Sequence, residues 1–310
     1  MGAAVLALIL ANSPAKDIYF EVTHRSHLFV NEILMSLFFF LVGLEIKREF
    51  KEGELSNPKR AALPIIAALG GMITPAIIYL AFNAGGLASH GWAIAMPTDI
   101  ALALGVLALL GSRIDSSLKI FLLTLAIADD LFSIIVLAVF YSSGIEPMRI
   151  IGTIGAVILA FVIPSGKNLT TSRLIQLIHP WTAFLIIPLF ALVNVGITID
   201  FSRLAEQVLS PVASGIIVGR VLGKFIGITL FAWLAIKIGV ASKSESITFA
   251  QISGVAALAG MGLTISLFIA ELALTEAALI ENVKLGLLIS ALISGLFGYL
   301  VLRKTSAAHN

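Results

Sequence analysis

Long runs of apolar residues, each ended by a charged residue or by a Pro, Gly or Asn break, recur from one end of the 310-residue chain to the other. They fall near 2–13, 28–45, 61–83, 92–111, 117–141, 149–164, 181–199, 208–236, 248–272 and 282–302. A helix of about 20 residues crosses the roughly 30 Å hydrocarbon core of a bilayer, so most of these runs are long enough to span one. Within each run the apolar residues are continuous. That argues for helices, which satisfy their backbone groups within one segment, and against a barrel, whose strands alternate apolar and polar positions. The pattern predicts an all-α polytopic membrane protein of about ten transmembrane helices, with residues 1–310 as one transmembrane domain. The first run is short for a full crossing, and 208–236 is long enough to tilt.

Composition removes the main alternative. Hydrophobic residues make up 59% of the chain and charged residues 12%, where a soluble domain carries about a quarter, so an ordinary water-soluble globule is excluded. The basic residues are also placed unevenly. One set of alternate loops holds Lys47, Arg48, Lys51, Lys59, Arg60, Arg113, Lys119, Lys167, Arg173, Lys237, Lys243, Arg303 and Lys304, thirteen in all, against Lys16, Arg25, Arg149 and Arg203 in the other. Cytoplasmic loops carry the excess of Lys and Arg, so an even number of spans places both termini in the cytoplasm. Arg220, Lys224 and Lys284 fall inside runs, where a charge costs several kcal/mol unless it is paired, hydrated or snorkelling.

A net charge of +2 gives no argument for a nucleic-acid partner; membrane lipids are the expected surroundings. With no cysteine in the chain, disulfides, thiolate metal sites and iron–sulfur clusters are out of consideration. The start, Met1-Gly2-Ala3-Ala4-Val5, has no basic segment and no Ser or Thr at the sixth position, so neither a cleaved signal nor a myristoyl group is expected.

Four segments inside the runs carry chemistry. In Ala95-Met96-Pro97-Thr98-Asp99-Ile100, Pro97 removes a backbone donor and disfavours helix before it, so the helix should break beside Asp99. A broken helix frees carbonyls that can coordinate a cation, and the carboxylate supplies negative charge; a proline kink with a water-solvated Asp is the bland alternative. Asp129 and Asp130 stand side by side in an otherwise uncharged stretch. Adjacent helical positions point about 100° apart, so one acid can face an ion site while the other meets a partner. Like-charge repulsion and desolvation favour the protonated form, as a proton carrier requires. A capping role at the membrane surface is the alternative.

In Gly219-Arg220-Val221-Leu222-Gly223-Lys224, Lys224 is the natural counter-charge for a buried acid, while Arg220 is read as snorkelling to lipid headgroups. Gly260 and Gly262, before Thr264, weaken a helix in mid-span and mark either a second break or close packing of small residues. Glu45, Arg48 and Glu49 sit where a run meets a loop. They read first as a solvated helix end and second as a gate or pH-responsive group, and His179 before Pro180-Trp181 reads likewise as interfacial or titratable.

Taken in order, these residues closely resemble the bacterial NhaA family of sodium/proton antiporters. The match runs through Val42-Gly43-Leu44-Glu45-Ile46-Lys47-Arg48-Glu49, Pro97-Thr98-Asp99 with Ala101 to Leu107, Asp129-Asp130, His179-Pro180-Trp181, Gly223-Lys224 and Gly262-Leu263-Thr264-Ile265-Ser266, nearly the whole chain. The resemblance implies an inverted-repeat antiporter fold with two interrupted crossing helices. That architecture is known for this family and comes with the resemblance. The breaks would lie at Pro97 and at Gly260, Gly262 and Thr264. Asp130 would be the principal Na+ ligand, with Asp129 and Thr98 beside it; Lys224 would pair with Asp129, and Asp99 would compensate charge at the breaks. Glu45, Arg48, Glu49 and His179 would belong to a pH-responsive cytoplasmic funnel.

The implied activity is secondary active export of Na+ or Li+ in exchange for H+, for Na+ and pH homeostasis. It would take place in the bacterial inner membrane, with no bound cofactor and with a homodimer as a possible assembly. Two departures stand out. The family has about twelve spans, yet one run alone separates Tyr141 from the loop after Pro164, where the resemblance implies three; a pair of helices is missing, and the first span is shortened. Ile175 and Gln176 also stand where family members can carry titratable groups. Two rival readings follow: a shortened, inactive relative serving as a membrane interaction subunit, and an aspartyl intramembrane protease. The second would need its acids on separate helices, and the chain has no Gly-x-Gly-Asp segment.

Overall fold

The computed structural model describes residues 2–141, 147–164 and 171–307; Lys167, part of the charge pattern, lies outside them. All regular elements among the described residues are helical. In chain order they are α1 (Gly2–Ala11), α2 (Lys16–Leu28), α3 (Met35–Glu52), α4 (Pro58–Phe82), a 3₁₀ segment (Leu87–Ala95), α5 (Ile100–Leu109), α6 (Ser116–Phe140) and α7 (Pro147–Val162). There follow α8 (Thr171–Trp181), α9 (Ile187–Asn194), the short α10 (Leu204–Val208), α11 (Pro211–Val218), α12 (Lys224–Lys237), α13 (Phe249–Leu258), α14 (Thr264–Ala273) and α15 (Ala277–Ala307).

Three of these junctions are π-helical turns, at Phe29–Leu34, Thr182–Ile186 and Gly219–Gly223, so α2–α3, α8–α9 and α11–α12 run as continuous rods. The second turn lies between Pro180 and Pro188, which lack the amide hydrogen and crowd the carbonyl four residues back; widening the turn accommodates them. Six rods are long and apolar enough to cross a bilayer: Lys16–Glu52, Pro58–Phe82, Ser116–Phe140, Thr171–Asn194, Pro211–Lys237 and Ala277–Ser306. Leu87–Ala95 with Ile100–Leu109, bent by 43° at its break, is a further candidate, and Gly2–Ala11, Ile150–Val162, Phe249–Leu258 and Thr264–Ala273 are shorter apolar helices.

Helix ends follow local chemistry. Asn57 caps α4, its side chain accepting from the Lys59 N–H at 3.0 Å with Pro58 in the first turn, and Thr248 with Gln251 forms a capping box on α13. The rod that contains the apolar run from 28 starts as early as Lys16. Its first turns are polar, but Glu21 and Arg25 are exposed and paired one turn apart at 2.6 Å, which suits a helix whose outer face meets water or headgroups.

The chain divides into two compact units, one formed by Met1–Lys51 and Ile134–Glu206, the other by Glu52–Ser133 and Gln207–Asn310. In the first, α1 and α2 pack on α9. Buried polar side chains fix that packing: the Tyr19 hydroxyl donates to the Leu192 carbonyl at 2.6 Å, and Asn31 and Asn194 exchange amide hydrogen bonds at 2.9 and 2.8 Å. On α3, Gly43 lies against Val157 and Ala160 of α7, and the Lys47 ammonium donates to the Ala160 and Ile163 carbonyls at 3.2 and 2.5 Å. In the second unit α4 crosses α12 with Gly70 and Gly227 in backbone contact, too close for a Cβ at either, and α13 packs on α15. Its core joins Leu63, Leu107, Leu122, Leu125, Ile228 and Val255.

Candidate functional site

Two helices of the second unit are interrupted, and the interruptions meet. The 3₁₀ segment Leu87–Ala95 stops before Pro97, and Met96 to Asp99 are not helical until α5 begins at Ile100. α13 stops at Leu258, and the chain runs through Gly260 and Gly262 before α14 begins at Thr264. The Asp99 N–H donates to the Met261 carbonyl at 2.8 Å, and the Thr98 hydroxyl lies 3.1 Å from the Ala259 carbonyl. Glycine is needed here for space: a Cβ on Gly262 would stand 2.5 Å from the Pro97 carbonyl oxygen, and one on Gly260 would be 2.7 Å from that of Arg220. Break and close packing, alternatives in the sequence, are one feature.

Such a crossing leaves helix ends inside the protein, and each end carries a partial charge. Asp99 answers the positive ends. Its Oδ1 accepts from the Leu102 N–H at 3.3 Å, capping α5, and its Oδ2 accepts from the Thr264 hydroxyl at 2.9 Å, at the start of α14. The negative ends are answered by Arg220, on the π-helical turn between α11 and α12. Its Nε donates to the Gly260 carbonyl at 3.0 Å, its Nη1 to the Ile94 carbonyl at 3.0 Å and the Ser266 hydroxyl at 2.7 Å, and its Nη2 to the Pro97 carbonyl at 2.6 Å.

This corrects one expectation. Arg220 does not snorkel to lipid headgroups: its relative exposure is 0%. Five carbonyls at the breaks, those of Ile94, Pro97, Ala259, Gly260 and Met261, each lie within hydrogen-bond distance of a donor. The signal for Arg220 lay in its spacing, one turn before Lys224 on the same face of a glycine-rich helix. Two cations so placed point to one site.

Lys224 reaches a carboxylate instead. Its Nζ lies 2.7 Å from Asp129 Oδ2 and 2.7 Å from the Thr98 hydroxyl, which is itself 2.6 Å from the same Oδ2. Lys224 and Asp129 are fully enclosed, at 0% exposure each. A salt bridge so buried is held by its geometry, because removing either partner strands a charge in an apolar interior. Asp129 Oδ1 is buried without a hydrogen-bond partner among the described residues, as is the Ser133 hydroxyl one turn on. Asp130, the next residue of α6, is also buried.

The structure thus brings Pro97, Thr98, Asp99, Asp129, Asp130, Lys224, Gly260, Gly262 and Thr264 into one unit. Glu45, Arg48, Glu49 and His179 belong to the other. There the Glu45 segment is not a solvated helix end, because Lys47 and Glu49 are buried and Glu45 and Arg48 are half-buried. His179 is exposed within α8, which begins eight residues before it. Chemically, the central arrangement offers two adjacent buried carboxylates, one paired with an ammonium, next to a hydroxyl and a backbone crossing. Such a group can trade a proton or an ammonium contact for a small cation.

Comparison with known proteins gives the same direction. The family model for Na+/H+ antiporter 1 matches residues 1–153 and 149–302. The Na+/H+ antiporter NhaA of Nitrobacter hamburgensis is 41% identical over 362 aligned positions, covering 99% of this chain and 88% of that protein. Those of Klebsiella pneumoniae (NhaA 1) and Escherichia coli O1:K1 are each 40% identical, covering 97% of this chain and 92% and 93% of their own. The 362 positions exceed the chain's 310 residues by 52, and the two family matches meet at 149–153, in the first turns of α7. The two matched ranges carry Thr98 and Asp129 in the first and Lys224 and Gly262 in the second.

Proposed function

This chain belongs to the Na+/H+ antiporter 1 family, and we propose that its ion exchange takes place at the Asp129–Asp130 pair beside the crossed helix breaks. It is a multi-pass sodium/proton antiporter, a transporter and not an enzyme. The observation that carries the site is the enclosed Lys224–Asp129–Thr98 contact with Asp130 as its neighbour. Na+, or Li+, takes Asp130 as its principal ligand with Asp129 and Thr98 beside it, and protons compete with the cation for the same carboxylates. The site opens to one face at a time, so occupancy by one ion excludes the other and couples their gradients. The ions are substrates, and no resident cofactor is needed.

The ten spans act as one transport domain in the bacterial inner membrane. Both termini face the cytoplasm, on the strength of the loop charges. Glu45, Arg48, Glu49 and His179 are read as the pH-responsive set, membrane lipids as the surroundings, and a homodimer as the assembly. The test is Na+-driven dequenching of a pH-sensitive dye in everted vesicles, from neutral to alkaline pH, beside an Asp130→Asn variant inserted at the same level. Exchange that Asp130→Asn abolishes is the expected result, and exchange that survives it removes the site assignment. No exchange from well-inserted wild-type chain would favour the second reading, a shortened relative without transport, which the 52-position difference motivates.

A further inference from the structure

We propose that Arg220 is the positioning residue of the crossing: a resident cation that ties the two helix breaks together and neutralises their carbonyl ends. Lys224 is thereby left free to exchange its carboxylate partner for the transported ion. The inference rests on the site assignment above and adds a residue and a division of labour to it.

Arg220 has the geometry for this role and Lys224 does not. A guanidinium carries five N–H donors in a rigid plane, suited to several acceptors converging from different directions, whereas an ammonium is a point charge on a flexible stem. Its donors go to the carbonyls of Ile94, near the end of Leu87–Ala95, of Pro97 in the first break and of Gly260 in the second, and to the Ser266 hydroxyl of α14, so it touches both breaks and the helix after the second. None of those contacts is to a carboxylate. Packing around it is tight, since the Gly262 Cα lies so close to Nη2 that any side chain there would collide.

The charged groups within electrostatic reach are Asp99 and Asp129, with Lys224 one turn along the same rod. Asp99 is occupied at the two helix starts and Arg220 at the two helix ends, so the crossing is balanced before Lys224 is considered. The Lys224–Asp129 pair can then open without leaving helix-end carbonyls uncompensated. A cation arriving at Asp129 and Asp130 displaces an ammonium whose one contact with the crossing is the Thr98 hydroxyl among the described hydrogen bonds, and no helix-end carbonyl is bonded to it there.

The test uses the full chain, which has no cysteine of its own. Met261→Cys places a thiol in the second break at a buried position and reports, by its alkylation rate with N-ethylmaleimide, whether the crossing holds. Combined with Arg220→Met, alkylation is expected to accelerate about tenfold or more, the equivalent of losing one charge-assisted hydrogen bond. In parallel, Arg220→Met should raise the KM for Na+ by about tenfold with the maximal rate changed much less, and Arg220→Lys should not restore it, because charge without the fork cannot hold three carbonyls.

Unchanged alkylation, an unchanged KM, or full rescue by Arg220→Lys would each overturn the proposal. If Arg220→Met does not accumulate in the membrane, Arg220→Lys decides alone. Raised KM and faster alkylation then support the clamp, and wild-type values remove it. Should the wild-type chain exchange no Na+ at all, the functional reading fails, while the alkylation comparison still decides whether Arg220 holds the crossing.

Discussion

In the unit of Met1–Lys51 and Ile134–Glu206, Asn31 and Asn194 exchange deep, neutral hydrogen bonds, and the buried Lys47 ammonium donates to the carbonyls at the end of α7. The unit of Glu52–Ser133 and Gln207–Asn310 has the counterpart of Lys47 in Arg220, also bonded to helix-end carbonyls. It also has a buried ammonium on a buried carboxylate, Lys224 on Asp129. A cation on carbonyls has no partner that titrates, so it is fixed and structural. A cation on a carboxylate, next to a second carboxylate, has partners that protons and metal ions also want. The difference separates charges that hold helices from charges that can move ions.

That distinction can be broken most directly at Lys224. Lys224→Met strands the Asp129 charge, with an expected cost of about 3–5 kcal/mol and loss of exchange. The thermal midpoint of the purified protein and dye dequenching in vesicles measure the two effects, and a variant as stable and active as wild type would erase the contrast. Gly262→Ala comes next. Forcing a methyl against the Pro97 carbonyl and the Arg220 guanidinium should cost about 1–3 kcal/mol and sharply reduce exchange, because the crossing has no room to relax.

In the first unit, Asn31→Leu leaves the Asn194 amide short of its partner and should cost about 1–3 kcal/mol while exchange persists. The double change Asn31→Leu with Asn194→Leu should regain much of that stability, because an apolar pair leaves nothing unsatisfied. Loss of exchange in either, at normal insertion, would show that the neutral network also carries function.

The smallest effect is expected at Asp115, outside the spans. Hydrogen bonds from the Ser117 side chain and backbone and from Ser246 hold its carboxyl below the usual carboxylate range. A depressed value stabilises the fold above the unfolded pKa and ceases to do so as pH falls through the folded one. Asp115→Asn should therefore lower the thermal midpoint slightly at neutral pH, and the difference should shrink below about pH 4 and vanish once the pH is below the folded value.

Much of the site was legible because a bilayer makes polarity conspicuous. Asp99, Asp129, Asp130 and Lys224 stand out as charges in apolar runs, and Pro97 with Gly260 and Gly262 marks where helices cannot continue. Arg220 was misread for a physical reason: its partners are main-chain carbonyls, which every residue has and no sequence pattern singles out. The Glu45 segment was misread because Lys47 finds its acceptors on α7, over a hundred residues away in the chain.

By itself the sequence determined that the chain is helical, crosses a membrane many times and buries a few ionisable residues, since hydrophobic run length and the cost of charge in lipid depend on local composition alone. Only the tertiary structure decided which charges meet carboxylates and which meet carbonyls. That depends on where broken helices expose their ends and on which remote side chain arrives to satisfy them.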